Sequence, residues 1–138
     1  MDHVQTKSEI RSLLDAAGSR PIRRFGQNFL IDGNLMRALV ASADFGSEDV
    51  ILEVGGGTGG LTALLVKSAA HVVCVEIDPK LQAGLESQFQ PKGNFTLLCT
   101  DALAGKNRLS PEMVTAVEHA TASIESGLQP VPADSAAR

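Results

Sequence analysis

Glu53-Val54-Gly55-Gly56-Gly57-Thr58-Gly59-Gly60-Leu61-Thr62 joins two apolar segments of different character. Before it runs Val50-Ile51-Leu52, short and branched, which reads as a buried strand. After it runs Leu61-Thr62-Ala63-Leu64-Leu65-Val66-Lys67, which reads as a helix. A second apolar run, His71-Val72-Val73-Cys74-Val75-Glu76-Ile77-Asp78, follows and ends in acid. Strand, glycine-rich turn, helix, strand and acid is the unit with which an α/β fold builds a nucleotide pocket. The glycines allow a tight turn and close backbone approach, and the acid can meet ribose hydroxyls.

The same alternation continues outward. Strands are expected at 50–54, 72–77 and 95–99, with helices at about 59–68 and 79–88 and Pro79 in the first turn of the second helix. Pro91-Lys92-Gly93-Asn94 reads as a turn, and the third strand ends at Thr100-Asp101-Ala102. Right-handed crossovers then give a parallel sheet with flanking helices and a ligand crevice at the strand ends. Upstream, residues 6–17 suit an amphipathic helix with Thr6 as N-cap and Gly18 as stop. A helix over about 33–43 follows, capped by Asp32, with Leu35, Leu39 and Val40 facing inward. Downstream, Ser110-Pro111-Glu112 starts a helix whose apolar stripe is Met113, Val117, Ala120 and Ile124. Gly127 ends it, and the Pro/Ala-rich stretch 128–138 reads as disordered. The chain thus divides into a lead-in (1–19), an α/β core (20–108) and a helix with its tail (109–138). Three strands make a small parallel sheet that leaves apolar surface and an edge uncovered, so the chain is expected to be a fragment or to need a partner.

A chain of 138 residues, 43% hydrophobic and 20% charged, has the composition of a soluble domain. No apolar run approaches the roughly 20 residues that span a bilayer, and Met1-Asp2-His3-Val4-Gln5 shows no signal-peptide pattern, so the expected compartment is the cytoplasm. Cys74 and Cys99 sit in apolar runs and read as buried structural thiols; their spacing makes no metal site. The net charge of −4 does not point to nucleic acid. Its distribution is uneven: residues 1–40 carry six Lys/Arg against four acids, and the remainder six against twelve. A basic N-terminal segment on an acidic body could approach phosphates, and charge alone equally allows a solvated loop.

Gly55, Gly57 and Gly60 satisfy G-x-G-x-x-G, and Glu76 lies 21 residues beyond Gly55. Those features fit a nicotinamide dinucleotide as well as S-adenosylmethionine. Glu53, two residues before the first glycine, reads as a carboxylate facing the crevice, which suits a cationic ligand without phosphate. Asp101, closing the third strand, could accept from an adenine amino group. The acids at successive strand ends favour S-adenosylmethionine.

Arg24-Phe25-Gly26-Gln27-Asn28-Phe29-Leu30-Ile31-Asp32, the glycine loop with Glu53, Val75-Glu76-Ile77-Asp78 and Asp101-Ala102 together resemble the ribosomal RNA adenine dimethyltransferases, the kasugamycin-sensitivity type. The likeness covers about residues 20–104, and Gly26-Gln27-Asn28-Phe29-Leu30 is its most specific block. The resemblance implies a Rossmann-like S-adenosylmethionine-dependent methyltransferase fold, here partial, and methylation of adenine N6 in small-subunit ribosomal RNA or a pre-30S particle. It places Asn28 and Leu30 beside the methionine end of the cofactor with Gln27 as their neighbour, Gly55 and Gly57 against the ligand, Glu76 on ribose hydroxyls and Asp101 on adenine. Arg23 and Arg24, from charge and position, are candidates for RNA phosphate.

The family holds its flipped base with an Asn/Asp-Leu-Pro-Tyr motif after the fourth strand. This chain has no Tyr and no such motif, so no catalytic residue is assigned, nor any metal ligand. The chain is therefore expected to carry the cofactor half of the enzyme and to be inactive alone. Three other readings stay open: a methyltransferase for another substrate, a nicotinamide-dependent oxidoreductase, and a cofactor- or RNA-binding remnant without turnover.

Overall fold

Two helices, α1 (Lys7–Ala16) and α2 (Gly33–Ala43), precede the sheet in a computed structural model that describes residues 5–16 and 33–130. Thr6 caps α1 as expected. Its hydroxyl accepts from the Glu9 N–H at 3.2 Å, and the Glu9 carboxylate accepts from the Thr6 N–H at 2.6 Å, so two orphan donors are satisfied reciprocally. The stop at Gly18, the cap at Asp32 and the tail from 131 lie outside the described residues.

The inward face of α2 differs from the expected one. Met36 is 1% exposed, whereas Leu35 is 56% and Leu39 49% exposed. Met36 seats its thioether against Gly60, where a Cβ would stand 3.5 Å from it, and Val40 packs half-buried against the core. Met36 and Val40 are four residues apart and share one stripe; Leu35 and Leu39 form the adjacent stripe, which faces outward.

The sheet contains β1 (Val50–Val54), β2 (His71–Val75) and β3 (Phe95–Leu98), all parallel, in the order β1-β2-β3. Helix α3 (Gly60–Ser68) links the first pair and α4 (Pro79–Phe89) the second. Asp78 caps α4, accepting from the Lys80 N–H at 3.0 Å, and Pro79 occupies the first turn, where a missing N–H is harmless. A short 3-10 turn (Gln90–Lys92) closed by Gly93 at φ 82° forms the expected turn into β3.

Beyond β3 a feature appears that the sequence reading did not contain. Residues β4 (Leu103–Gly105) and β5 (Arg108–Leu109) form a small antiparallel hairpin, closed by the Ser110 N–H on the Ala102 carbonyl at 2.8 Å. Its three- and two-residue arms are too short to give a period-2 signal. Helix α5 (Pro111–Glu125) follows, with Met113 and Ala120 buried and Val117 and Ile124 half-buried along the expected stripe. Ser110 caps it, its Oγ accepting from the Met113 N–H. Ser110→Ala is expected to lower stability by about 1 kcal/mol, the usual loss for a cap of this type; a urea midpoint unchanged from the parent would contradict it.

Both faces of the sheet are covered, which explains why β2 is buried at every position. Val72 and Cys74 point to one face and join Leu65, Ala69, Leu85, Phe89 and Phe95 under α3 and α4. Val73 and Val75 point to the other and join Leu98, Met113 and Ala120 under α5. β1 is not the buried strand expected. It is an edge of the sheet, with Val50 and Ile51 half-buried and Val54 61% exposed. Cys74 is buried as expected, but Cys99 is exposed, because it lies one residue past the last ladder position of β3. Among the described residues no helix is long and apolar enough to cross a membrane.

Candidate functional site

Parallel strands bring the turns after β1, β2 and β3 to one end of the sheet. Gly55, Glu76 and Asp101 each follow their strand within three residues, so this end collects the candidates. Gly55 turns the chain at φ 83° and Gly57 at φ 59°, both in the left-handed region. The Gly55 N–H donates to the Val75 carbonyl at 2.7 Å, which extends the β1–β2 ladder by one bond. Among the described residues a Cβ on Gly55 would meet nothing within 4 Å, so they leave that side of the loop open. Gly56 is the opposite case. Its Cβ would stand 2.5 Å from Cys74 Sγ and 2.9 Å from a Leu85 methyl, so the loop is pressed onto the core there.

Glu76 ties the loop to β2. It is buried, and its two oxygens are held by different backbone donors: Gly57 N–H at 2.9 Å and Asp78 N–H at 2.8 Å. Each oxygen keeps a lone pair for another donor.

Glu53 does not face the crevice as expected. It is 5% exposed and lies opposite Cys74 in the ladder, on the face of the sheet that α3 and α4 cover. The Thr62 hydroxyl, in the first turn of α3, donates to its carboxylate, with oxygens at 2.5 and 3.0 Å. Burial pushes the Glu53 carboxyl up to about 7, the Thr62 and Cys74 contacts oppose that, and the charge of Glu76 adds to it. The strand period explains the placement: a residue one before the exposed Val54 must point to the opposite face.

Asp101 is exposed and accepts from the Leu103 N–H at 2.9 Å, which starts the hairpin. Gln27, Asn28 and Leu30, with Arg23 and Arg24, lie outside the described residues. The structure therefore brings together Gly55, Gly57 and Glu76, sets Glu53 beneath them and leaves Asp101 at the same sheet end. Three participants were not singled out from the sequence. Thr62 stands nine residues after Glu53, where a first-turn hydroxyl could have been paired with it. Asp78, as Asp-Pro at a helix start, carries a cap signal. Gln5 bonds Thr58 across 53 residues, and no local pattern announces that.

A family model described as ribosomal RNA adenine dimethylase matches residues 19–118. The ribosomal RNA small subunit methyltransferase A of an Arthrobacter species is 45% identical over 101 residues, which are 70% of this chain and 34% of that protein. The protein of that name from Corynebacterium glutamicum is 48% identical over 82 residues, 59% of this chain and 28% of its own. The chain spans about a third of the length of the curated relatives it matches. Among solved structures, the 23S rRNA methyltransferase ErmE superposes with a TM-score of 0.53 at 30% identity, over 61% of this chain and 34% of that one. A putative RNA methyltransferase from Pyrococcus horikoshii shares the fold, with a TM-score of 0.51 at 23% identity over 72% of this chain and 56% of that one.

Proposed function

This chain belongs to the ribosomal RNA adenine dimethylase family, and from that premise we propose that its strand-end site holds S-adenosylmethionine for methylation of adenine N6 in small-subunit ribosomal RNA. The observation that carries this reading is the Glu76 carboxylate. It is fixed by two backbone N–H groups, buried, and left with one acceptor position on each oxygen, as a pair of vicinal ribose hydroxyls requires. The open side of Gly55 fits the approach of a ligand to the backbone. When bound, the cofactor supplies a methyl group on a sulfonium.

Gly55 and Gly57 line the ligand with backbone, Asp101 accepts from the adenine amino group, and Gln27, Asn28 and Leu30 border the methionine end. Glu53 acts from below the loop, holding Thr62 in the first turn of α3. Arg23 and Arg24 meet RNA phosphate. A delocalised exocyclic amine is a poor nucleophile and must be held and aimed by acceptors. The chain contains no Tyr and no Asn/Asp-Leu-Pro, so the residues in hand serve the cofactor rather than the base. The RNA partner is small-subunit ribosomal RNA or a pre-30S particle, and the compartment is the cytoplasm.

Calorimetric titration with S-adenosylhomocysteine and, separately, NADH tests the reading; tighter binding of NADH would select an oxidoreductase instead. Glu76→Gln is expected to weaken S-adenosylhomocysteine about tenfold or more. The carboxamide must turn its NH2 toward one of two backbone N–H groups, and hydrogen bonds to a charged group contribute roughly 1.5–3 kcal/mol. Incubating the chain with labelled S-adenosylmethionine and immature small subunits should give no methylation; appreciable incorporation would show that it carries its own base-holding groups.

A further inference from the structure

Gln5 lies outside the stretch that carries the family match, yet its side chain reaches the glycine loop. Its Nε2 donates to the Thr58 carbonyl at 2.9 Å, and the Thr58 hydroxyl donates to its Oε1 at 2.8 Å. One carboxamide thus takes both an acceptor and a donor of a single loop residue. Gln88 of α4 reaches the same carbonyl at 3.4 Å. The contact continues to the helix start, since a Cβ on Gly60 would stand 3.1 Å from Gln5 Oε1.

The loop is held at three successive residues from three directions. Gly57 is held by Glu76 just past β2, Thr58 by Gln5, and Gly59 rests on Phe89 of α4. Two of these anchors come from the α/β core. The third comes from the segment just ahead of the Thr6 cap, whose own geometry is set by the box with Glu9.

We propose that Gln5 is a positioning residue of the cofactor site: the N-terminal segment latches the glycine loop through Thr58, in the conformation that presents Gly55 to Gly57 to the ligand. The proposal rests on the reading of this site as an S-adenosylmethionine pocket, and it makes affinity depend on a residue ahead of position 19. A loop so rich in glycine has many alternative conformations when unheld, and the affinity of a ligand that needs one of them is scaled down to the fraction of molecules that hold it.

The test combines Gln5→Ala, Thr58→Val, their double variant and Thr58→Ser, each titrated with S-adenosylhomocysteine. Amide exchange is followed at Gly59, whose N–H donates within the loop to the Gly56 carbonyl at 3.0 Å. Gln5→Ala should weaken binding about three- to tenfold and speed exchange at Gly59 without speeding it at the β2 amides. Thr58→Val should weaken binding less, add nothing on the Gln5→Ala background, and be rescued by Thr58→Ser. Binding within twofold of the parent in Gln5→Ala, or exchange accelerated equally through β2, would overturn the latch. If the parent chain itself fails to bind S-adenosylhomocysteine, the cofactor reading fails. Gly59 exchange then still decides the latch: local acceleration in Gln5→Ala supports it and an unchanged rate refutes it.

Discussion

Gly59→Ala is expected to destabilise the chain by about 2–4 kcal/mol, a large share of the 5–15 kcal/mol that holds a typical domain together. Two effects add. Gly59 sits at φ 88°, where an L side chain is strained by about 1 kcal/mol. Its new Cβ would also stand 2.5 Å from Cε2 and 2.9 Å from Cζ of Phe89. That ring has no room to swing aside, because it is buried and lies 5.4 Å from the Phe95 ring, tilted by 48°. Overpacking of this kind adds roughly 1–3 kcal/mol. Gly55→Ala is the control. Gly55 has a similar φ of 83°, but its Cβ would touch none of the described residues, so the strain is the term expected, about 1 kcal/mol. Urea denaturation of the two variants should rank them in that order. Equal midpoints would mean that Phe89 yields and that α4 is less firmly seated on the loop than its burial indicates.

Glu53→Gln is expected to remove a pH dependence of about 3 kcal/mol. The folded carboxyl titrates at about 7 against 4.5 in the unfolded chain, chiefly because burial penalises its charge. The folded state therefore binds the proton more tightly. Its stabilising contribution is fully present below pH 4.5, declines as the pH rises from 4.5 to 7, and is absent above. At ~1.4 kcal/mol for each pKa unit this amounts to about 3 kcal/mol. His71 acts in the opposite sense. It is buried at the start of β2, bonded through Nε2 to Thr96 Oγ1 at 2.8 Å, and burial lowers its pKa, so stability falls as the pH drops below the ordinary histidine value of 6.5. The parent profile mixes the two. The difference between parent and Glu53→Gln, measured by urea denaturation from pH 4 to 8, isolates the carboxyl. A flat difference would show that Glu53 stays ionised throughout and that Thr62 holds the charge more strongly than burial opposes it.

The elements of the core were legible because each carries its own local signal. Strand runs, Asp78-Pro79, Ser110-Pro111 and the glycine turn placed β1 to β3, α3, α4 and α5 within a residue or two. Orientation was less legible. Leu35 and Leu39 look more like core residues than Met36 does, and only the position of α3 decides which stripe of α2 turns inward. Glu53 was placed at the right strand end but on the wrong side, since alternation gives two faces and only the packing of α3 and α4 on Cys74 tells which one it shares. Glu76 and the glycines belong to one compact unit and came out together. The Gln5–Thr58 pair joins residues too distant in sequence for any pattern to reveal.

The order of the sheet bears on how the chain reaches this structure. Strand order follows chain order, so each ladder closes a crossover of about 20 residues, and closure entropy grows only slowly at such lengths. Parallel pairing must still close each crossover before its contacts form, so it is slower than the helices it joins. During synthesis β1, α3 and β2 can assemble before β3 emerges, and β3 then adds to an existing edge. Among the described residues, α5 covers the face made by Val73, Val75 and Leu98, and it is made after all three strands. Before α5 emerges that apolar surface is open to misassociation, and α5 acts, in kinetic terms, as a closing element for the nascent sheet.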